Sequence, residues 1–266
     1  MAIKVCFDTN VFNRLIDDHE KECVLNYIYN AITNKTIEPY VSETIFTLEA
    51  IQKKDRKDVM SRQKLKIETN ISECNQNTGT IKMALTVGPS EAAYVYLTTE
   101  QKRRIDIAKD LSFKILPTYR IGGFINLDIK VSYEYLIVKL EANEDEILGE
   151  CAEYIEDDLS AGFKIVNNLL KELYPADAFP NALKKIQEDD RVSREKFAKY
   201  IAEWADGDSL ATAVAHKVDY FCTNDNAGGF GESSIFSKKN KIEIQNRFNI
   251  KIVSSEELCN VIFKPI

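Results

Sequence analysis

Acidic residues follow two short apolar runs, one near each end of the chain. Asp8 comes directly after Val5–Phe7, and Asp225 comes three residues after Tyr220–Cys222. Such runs are typical of buried strands. In an open parallel sheet, ligands bind beyond the carboxyl ends of the strands. If both runs belong to one sheet, we expect the two carboxylates to lie at the same edge.

Two further acids can reach that edge. Asp208 opens a predicted helix of small residues, Asp208–His216, which leads directly into the second of these strands. Glu49 lies in another predicted helix, Glu43–Gln52, which follows a short extended segment. Both helices can therefore deliver a carboxylate to the edge at which the strands end.

The four acids Asp8, Glu49, Asp208 and Asp225 together predict a catalytic metal site. Carboxylates that converge on one point repel one another strongly unless a cation lies between them. Ligation by oxygen alone, without His or Cys, suits Mg²⁺ or Mn²⁺. A cation held in this way can lower the pKa of a bound water molecule and activate it for hydrolysis.

Each of these acids also has an ordinary structural role open to it. Asp8 and Asp208 would serve as helix N-caps, since Asp is favoured at that position. Asp225 would serve the turn that precedes Gly228. Glu49 would be a solvated helix residue. The order and context of the four acids favour the metal site over these roles.

Two motifs resemble those of PIN domains. The opening Val5-Cys6-Phe7-Asp8-Thr9-Asn10 is similar to the family's first motif, an apolar strand followed by Asp, Thr or Ser, and Asn. The segment from Asp208 to Asp225 is similar to the second, an Asp, a small-residue helix and a strand ending in Thr-x-Asp. The resemblance covers roughly Ala2–Lys53 and Asp206–Val253. It implies a three-layer α/β/α sandwich with a mostly parallel sheet, bound Mg²⁺ or Mn²⁺, and cleavage of RNA.

The resemblance also implies roles for individual residues. Asp8, Asp208 and Asp225 correspond to three family acids, and Asn10 and Thr223 correspond to residues that hydrogen-bond around them.

The family's remaining acid is usually a Glu in the helix after the second strand, where this chain has both Glu43 and Glu49. Helical positions six apart point about 240° apart, so both cannot face the site, and we favour Glu49. Asp206, two residues before Asp208, is an alternate that would support or replace Asp208.

The predicted elements alternate between strands and helices, which indicates a mostly parallel sheet covered on both faces. We expect one PIN-like domain over residues 1–266, with a core of about 1–127 and 200–266 and a helical insertion or lid of about 128–199. Other predicted elements are the strands Ile3–Phe7, Phe113–Leu116 and Ile250–Val253, the helices Cys23–Ile32, Glu100–Leu111 and Ser193–Trp204, and the mostly helical stretch Lys130–Lys171.

Composition excludes some classes of protein. The net charge of −7 argues against a protein that coats nucleic acid without selectivity, but not against a nuclease. The six cysteines form no CxxC pair, and two histidines give no zinc-finger spacing, so we expect reduced thiols and a cytoplasmic protein. We find neither a signal peptide nor an apolar stretch of membrane-spanning length, and we expect no membrane partner.

The sequence therefore predicts a metal-dependent endoribonuclease, a hydrolase acting on RNA that we expect to be single-stranded. One alternative is a catalytically inactive PIN-like module that binds RNA or acts as a scaffold. Another is an α/β phosphatase, because an Asp also ends the first strand of that class; its second Asp would stand where this chain has Asn10. A homo-oligomer and a protein partner are left open.

Overall fold

A sheet of five parallel strands forms the centre of the protein. The computed structural model describes residues 2–49, 51–61, 64–75, 80–91, 93–95, 98–118, 125–127, 138 and 142–263. The strand order is β6-β2-β1-β8-β9. The five strands are β1 (Ile3–Phe7), β2 (Ile37–Ser42), β6 (Lys114–Leu116), β8 (Tyr220–Cys222) and β9 (Lys251–Val253).

The pairing of β1 brings three chain segments to one edge of this sheet. Phe7 lies opposite Val41 of β2 on one side and Cys222 of β8 on the other. The amide of Asp8 continues the ladder by donating to the Cys222 carbonyl at 2.9 Å. The prediction that β1 and β8 belong to one parallel sheet and end at the same edge is confirmed.

Helices cover both faces of the sheet. They are α1 (Thr9–Asp18), α2 (Cys23–Thr33), α3 (Lys53–Ser61), α4 (Thr99–Asp110), α5 (Ala142–Glu153), α6 (Phe163–Leu173), α7 (Phe179–Lys185), α8 (Arg194–Ala215), α9 (Lys238–Phe248) and α10 (Ser255–Phe263). A wider π-type turn, Tyr154–Asp158, continues α5.

Outside the central sheet, two further strand pairs are present in the described part of the chain. The strands β3 (Lys64–Asn75) and β4 (Thr80–Glu91) form a long antiparallel ribbon. The short strands β5 (Ala93–Val95) and β7 (Ile125–Leu127) are parallel. None of these four strands was expected from the sequence.

Alternation along the strands divides the core into two layers. Val5 and Phe7 of β1 pack on one face with α1, α2, α4 and α10, whereas Cys6 packs on the other face with α8 and α9. A third apolar cluster, which includes Leu48 and Trp204, lies between α3, α6, α7 and α8. The α/β fold with a parallel sheet between two layers of helices is confirmed.

One long helix replaces two predicted ones. The sequence predicted separate helices before and after residues 205–207, but α8 runs without a break over 22 residues. The hydroxyl of Ser193 caps it by accepting from the Lys196 amide at 3.1 Å. The prediction that Asp208 opens a helix is therefore wrong, because Asp208 lies in the middle of α8. The helix also crosses the expected border between insertion and core at 199/200.

Gly207 lies inside α8, although glycine is a poor helix former, because this position packs closely against another backbone. A Cβ atom built at Gly207 would lie 3.1 Å from the Cα of Gly162, which precedes α6. The glycine allows the α8 backbone to approach that loop closely, and packing offsets its low helix propensity.

The predicted helix Glu43–Gln52 is also wrong. Only a short 3-10 helix, Glu43–Ile45, follows β2, and irregular turns carry the chain to Glu49. The hydroxyl of Thr44 lies 2.9 Å from that of Ser42 and 3.1 Å from that of Ser209 in α8. These hydroxyl contacts hold the segment against α8 and compete with regular helix formation.

The described part of the stretch Lys130–Lys171 is helical in α5, the π-type turn and α6, while residues 128–137 and 139–141 lie outside the described residues. Within the described chain, no helix combines the length and the apolar character needed to cross a membrane.

Candidate acidic site

Asp8 is held at the carboxyl edge of the sheet by three hydrogen bonds. Its carboxylate accepts from the Thr9 amide at 2.7 Å, from Asn10 Nδ2 at 2.6 Å and from Thr223 Oγ1 at 2.6 Å. Asp8 also caps the start of α1, which is the ordinary structural role considered for it above. It is also only 9% exposed, and burial and then the nearby Glu49 raise its pKa to about 7. A cap alone needs no second carboxylate beside it.

Glu49 faces the same region from the turn before α3. Its carboxylate accepts from Thr44 Oγ1 at 3.4 Å, and burial raises its pKa. The buried Thr9 hydroxyl makes no full hydrogen bond, but it lies close enough to Glu49 to stabilise its charge. This hydroxyl is an unsatisfied polar atom at the point where the acids meet.

Glu43, the other candidate Glu, is bound elsewhere. Its carboxylate accepts from the Thr118 amide at 3.2 Å, beyond the end of β6, and burial raises its pKa. The structure thus places Glu49 rather than Glu43 beside Asp8.

Asp206 is the acid of α8 that faces this group. Burial raises its pKa well above the usual value, and the charges of Asp8, Glu49, Glu203 and Asp225 raise it further. Since each of these carboxylates disfavours ionisation of Asp206, all four lie near it. Four acids from four separate segments, Asp8, Glu49, Asp206 and Asp225, therefore share one electrostatic environment, which we call the acidic group.

Asp208 points to the other side of α8. Residues two apart on a helix are rotated by about 200°, so Asp206 and Asp208 cannot face the same way. The Asp208 carboxylate accepts from Trp204 Nε1 at 3.0 Å. It also lines a cavity of about 390 Å³ between α5 and α8, together with Gly149 and Ala152. Asp206 thus occupies the place that the sequence analysis gave to Asp208.

Asp225 combines the turn role with a place beside the acidic group. Its carboxylate accepts from the Ala227 amide at 2.7 Å, as a turn-forming Asp does. Its own amide donates to Thr223 Oγ1 at 3.0 Å, the hydroxyl that also binds Asp8. Asn10 completes this network by accepting from the Asn224 amide at 3.1 Å. Thr223 and Asn10 therefore connect the segments that carry Asp8 and Asp225.

Sequence reasoning missed Glu203, a buried acid at the rim of the group. It lies one turn before Asp206, on nearly the same face of α8. Its carboxylate accepts from Ser234 Oγ at 3.1 Å and from the Ile235 amide. Burial raises its pKa to about 7, and the charge of Asp225 contributes. The three-residue spacing of Glu203 and Asp206 places both on one helix face and could have identified Glu203. That signal could be used only once Asp206, rather than Asp208, was taken as the site residue.

Two cations lie beside the acidic group, one near Glu49 and one near Asp225. Arg56 of α3 is buried; burial lowers its pKa, while the charges of Glu49 and Asp206 oppose that shift. Lys241 of α9 donates from Nζ to the Asp225 carbonyl at 3.1 Å. Burial lowers its pKa too, and Asp225 is the strongest of the acids that oppose the shift. These cations offset part of the repulsion among the carboxylates.

The donor chemistry of the acidic group fits a hard divalent cation, since its side chains offer carboxylate and hydroxyl oxygens. The carboxylates, however, lie farther apart than the ligands of one bound ion. In the described part of the chain, no three His, Cys, Asp or Glu side chains are arranged so that they could hold a metal ion as they stand. Ligation of one ion would require the carboxylates to move closer together.

Comparison of the chain with models of known protein families, with curated proteins and with solved structures found no match.

Proposed function

We propose that this protein is a metal-dependent ribonuclease that hydrolyses phosphodiester bonds of RNA with the acidic group Asp8, Glu49, Asp206 and Asp225. The observation that carries the proposal is that Asp8 and the segment of Asp225 meet at the carboxyl edge of the sheet, where Thr223 Oγ1 donates to Asp8 and accepts from the Asp225 amide. In keeping with this arrangement, the charges of Asp8, Glu49 and Asp225 all raise the pKa of Asp206. Such convergence costs stability, and proteins retain it where function requires it. The choice of RNA depends on the resemblance of the two motifs to PIN domains.

Mg²⁺ or Mn²⁺ would be held by these four carboxylates and would supply an activated water and positive charge for the phosphate. Asp8 would be the best-oriented of these ligands, because Thr9, Asn10 and Thr223 fix its carboxylate. One lone pair of its Oδ1 stays available, since that oxygen accepts only from the Thr9 amide among its described hydrogen bonds.

The flanking cations suit an anionic substrate. Lys241 lies at the Asp225 side of the group and is only partly buried, so its ammonium can bind a phosphate oxygen of RNA. Arg56 is buried on the Glu49 side and acts on the carboxylates instead. Lys241 would orient substrate, and Arg56 would limit the repulsion.

RNA cleavage tests the proposal directly. We expect purified protein to degrade single-stranded RNA with Mn²⁺ or Mg²⁺ and to stop on addition of EDTA. Asp206→Asn should abolish cleavage, whereas the matched change Asp208→Asn, two residues away on the opposite face of α8, should leave most of it. Activity that survives thorough chelation would reject the metal mechanism, and equal loss in both variants would reject the assignment of Asp206.

The spacing of the carboxylates supports a second candidate, the inactive PIN-like module. The observation that favours it is that no three acids among the described residues are arranged so that they could hold a metal ion. An inactive module would bind RNA without cleaving it, and Mn²⁺ would not alter that binding. Saturable binding of Mn²⁺ that depends on Asp206 would favour the enzyme.

A further inference from the structure

Two cysteines lie on neighbouring helices at the surface, far along the chain from each other. Cys23 is the first residue of α2 and is exposed, and Cys259 lies in α10 and is partly buried. Leu25 of α2 and Leu258 of α10 pack into the same apolar core. The two helices therefore lie on the same face of the sheet.

The connections of these helices to the sheet show that they run in the same direction. Helix α2 leads into the start of β2, so it ends near the amino edge of the sheet. Helix α10 begins directly after β9, so it starts at the carboxyl edge. Both helices thus run from the carboxyl edge towards the amino edge.

An aromatic contact fixes the register of this parallel pair. The rings of Tyr27 and Phe263 meet edge to face, with centroids 5.0 Å apart. Cys23 and Cys259 each precede one of these aromatic residues by four positions, which is one helical turn on the same face. Parallel helices that pair at Tyr27 and Phe263 therefore also pair at the two cysteines.

The electrostatics of the thiols agree with this register. Burial raises the pKa of the Cys259 thiol, and the Cys23 thiol raises it further. The other described cysteines, Cys6, Cys151 and Cys222, are buried in the core. Exposure, register and the electrostatic influence of Cys23 on Cys259 thus distinguish this pair from the other described cysteines.

We propose that Cys23 and Cys259 are a redox modification site, which closes as a reversible disulfide between α2 and α10 on reaction with a low-molecular-weight disulfide. The exposed Cys23 thiolate attacks that disulfide, forms a mixed disulfide and releases one small thiolate. The Cys259 thiolate then attacks the Cys23 sulfur and releases the second. Two cysteine thiols are oxidised, and one small disulfide is reduced to two thiols.

The link would secure the helix that supports the rim of the acidic group. The amide of Ser255, the first residue of α10, donates to Asn224 Oδ1 at 3.0 Å. Asn224 is adjacent to Asp225 and is bound in turn to Asn10. A cross-link that closes nearly the whole chain restricts the unfolded state most, so we expect it to stabilise the fold.

The test is oxidation of the full chain with excess oxidised glutathione, blocking of the remaining thiols and peptide mapping. We expect one intramolecular Cys23–Cys259 link, reversed by dithiothreitol, and a rise in Tm of roughly 5 °C or more. Because the mapping uses the unaltered protein, it does not depend on how a variant folds.

Three variants complete the test. Cys23→Ser and Cys259→Ser should each remove both the link and the rise in Tm, while Cys151→Ser, a change at a buried cysteine of another core, should keep the link. Glutathione adducts without a link, a link to Cys74 or a link between two chains would overturn the proposal. A Cys23–Cys259 link without any change in Tm would overturn its stabilising role.

Discussion

The substitution Asp8→Asn should stabilise the metal-free protein relative to wild type as the pH rises, although it removes a central residue of the site. Burial and Glu49 raise the pKa of Asp8 from its usual 3.8 to about 7. A carboxyl that holds its proton more tightly in the folded protein favours folding at low pH. That advantage is lost as the pH rises from the unfolded pKa through the folded one.

The magnitude follows from the span between the two pKa values. Between pH 5 and pH 7, the unfolded chain has already released the Asp8 proton, while the folded protein still holds it. Each pH unit in this span lowers the free energy of unfolding of wild type by about 1.4 kcal/mol, or about 2–3 kcal/mol in total. Asn carries no such proton, so the free energy of unfolding of the Asp8→Asn variant should rise by that amount relative to wild type over this pH span.

Urea unfolding in EDTA at pH 5 and pH 7.5 measures this difference. The part of the lost hydrogen bonding that does not depend on ionisation affects both pH values alike and cancels. The part that does depend on ionisation is already contained in the pKa of Asp8, and Asn also caps helices well. Asp208→Asn removes a buried acid outside the acidic group and controls for the loss of one negative charge. A stability difference between Asp8→Asn and wild type that stays constant, or shrinks, from pH 5 to pH 7.5 would refute the reasoning.

Three further predictions concern single positions. Asp206→Asn should lower the rate of RNA cleavage at least about 100-fold, and Asp208→Asn should lower it only a few-fold, as followed by gel assays; the reverse order would restore Asp208 as the site residue. Glu49→Gln should weaken binding of Mn²⁺ in calorimetry more than Glu43→Gln does, and equal effects would contradict the choice of Glu49. Gly207→Ala should lower the free energy of unfolding in urea by about 1–3 kcal/mol, because its Cβ would crowd the backbone before α6; unchanged stability would show that this backbone can shift.

Local patterns were sufficient to predict the edge of the sheet on which the site lies. The apolar runs that end at Phe7 and Cys222 are short, β-forming and followed by polar residues, so strand ends and the acids after them could be read directly. Parallel pairing then placed Asp8 and the segment before Asp225 together. These conclusions need only the strand period and the geometry of a parallel sheet.

The rotation of α8 could not be predicted in the same way. Whether Asp206 or Asp208 faces Asp8 depends on how the whole helix is seated, and that is decided by contacts distant in sequence. Ser209 meets Thr44 and Ser42, and Gly207 meets Gly162. The predicted helix began at Asp208, which left Asp206 outside it. The helical geometry that separates the two side chains was therefore not considered.

The ribbon of β3 and β4 was missed for a different reason. Leu65, Ile67 and Ile71 lie at alternate positions among polar residues, which is the period of a strand, but Thr69 interrupts the apolar series and the surrounding stretch is rich in Lys and Arg. The turns around Glu49 were missed because their cause, the Thr44 hydroxyl contact with α8, joins residues 165 positions apart. No local window contains both partners.

Calorimetric titration with Mn²⁺ tests the central claim most directly, with wild type, Asp206→Asn and Asp208→Asn compared in two buffers that differ in ionisation enthalpy. Wild type should bind Mn²⁺ saturably near pH 6.5. Binding should release protons, because the cation would displace them from carboxyls such as that of Asp8, whose pKa is about 7. Asp206→Asn should lose this binding, and Asp208→Asn should retain it. Absence of Mn²⁺ binding to wild type, or retention of full affinity by Asp206→Asn, would contradict the claim that the acidic group is a metal site.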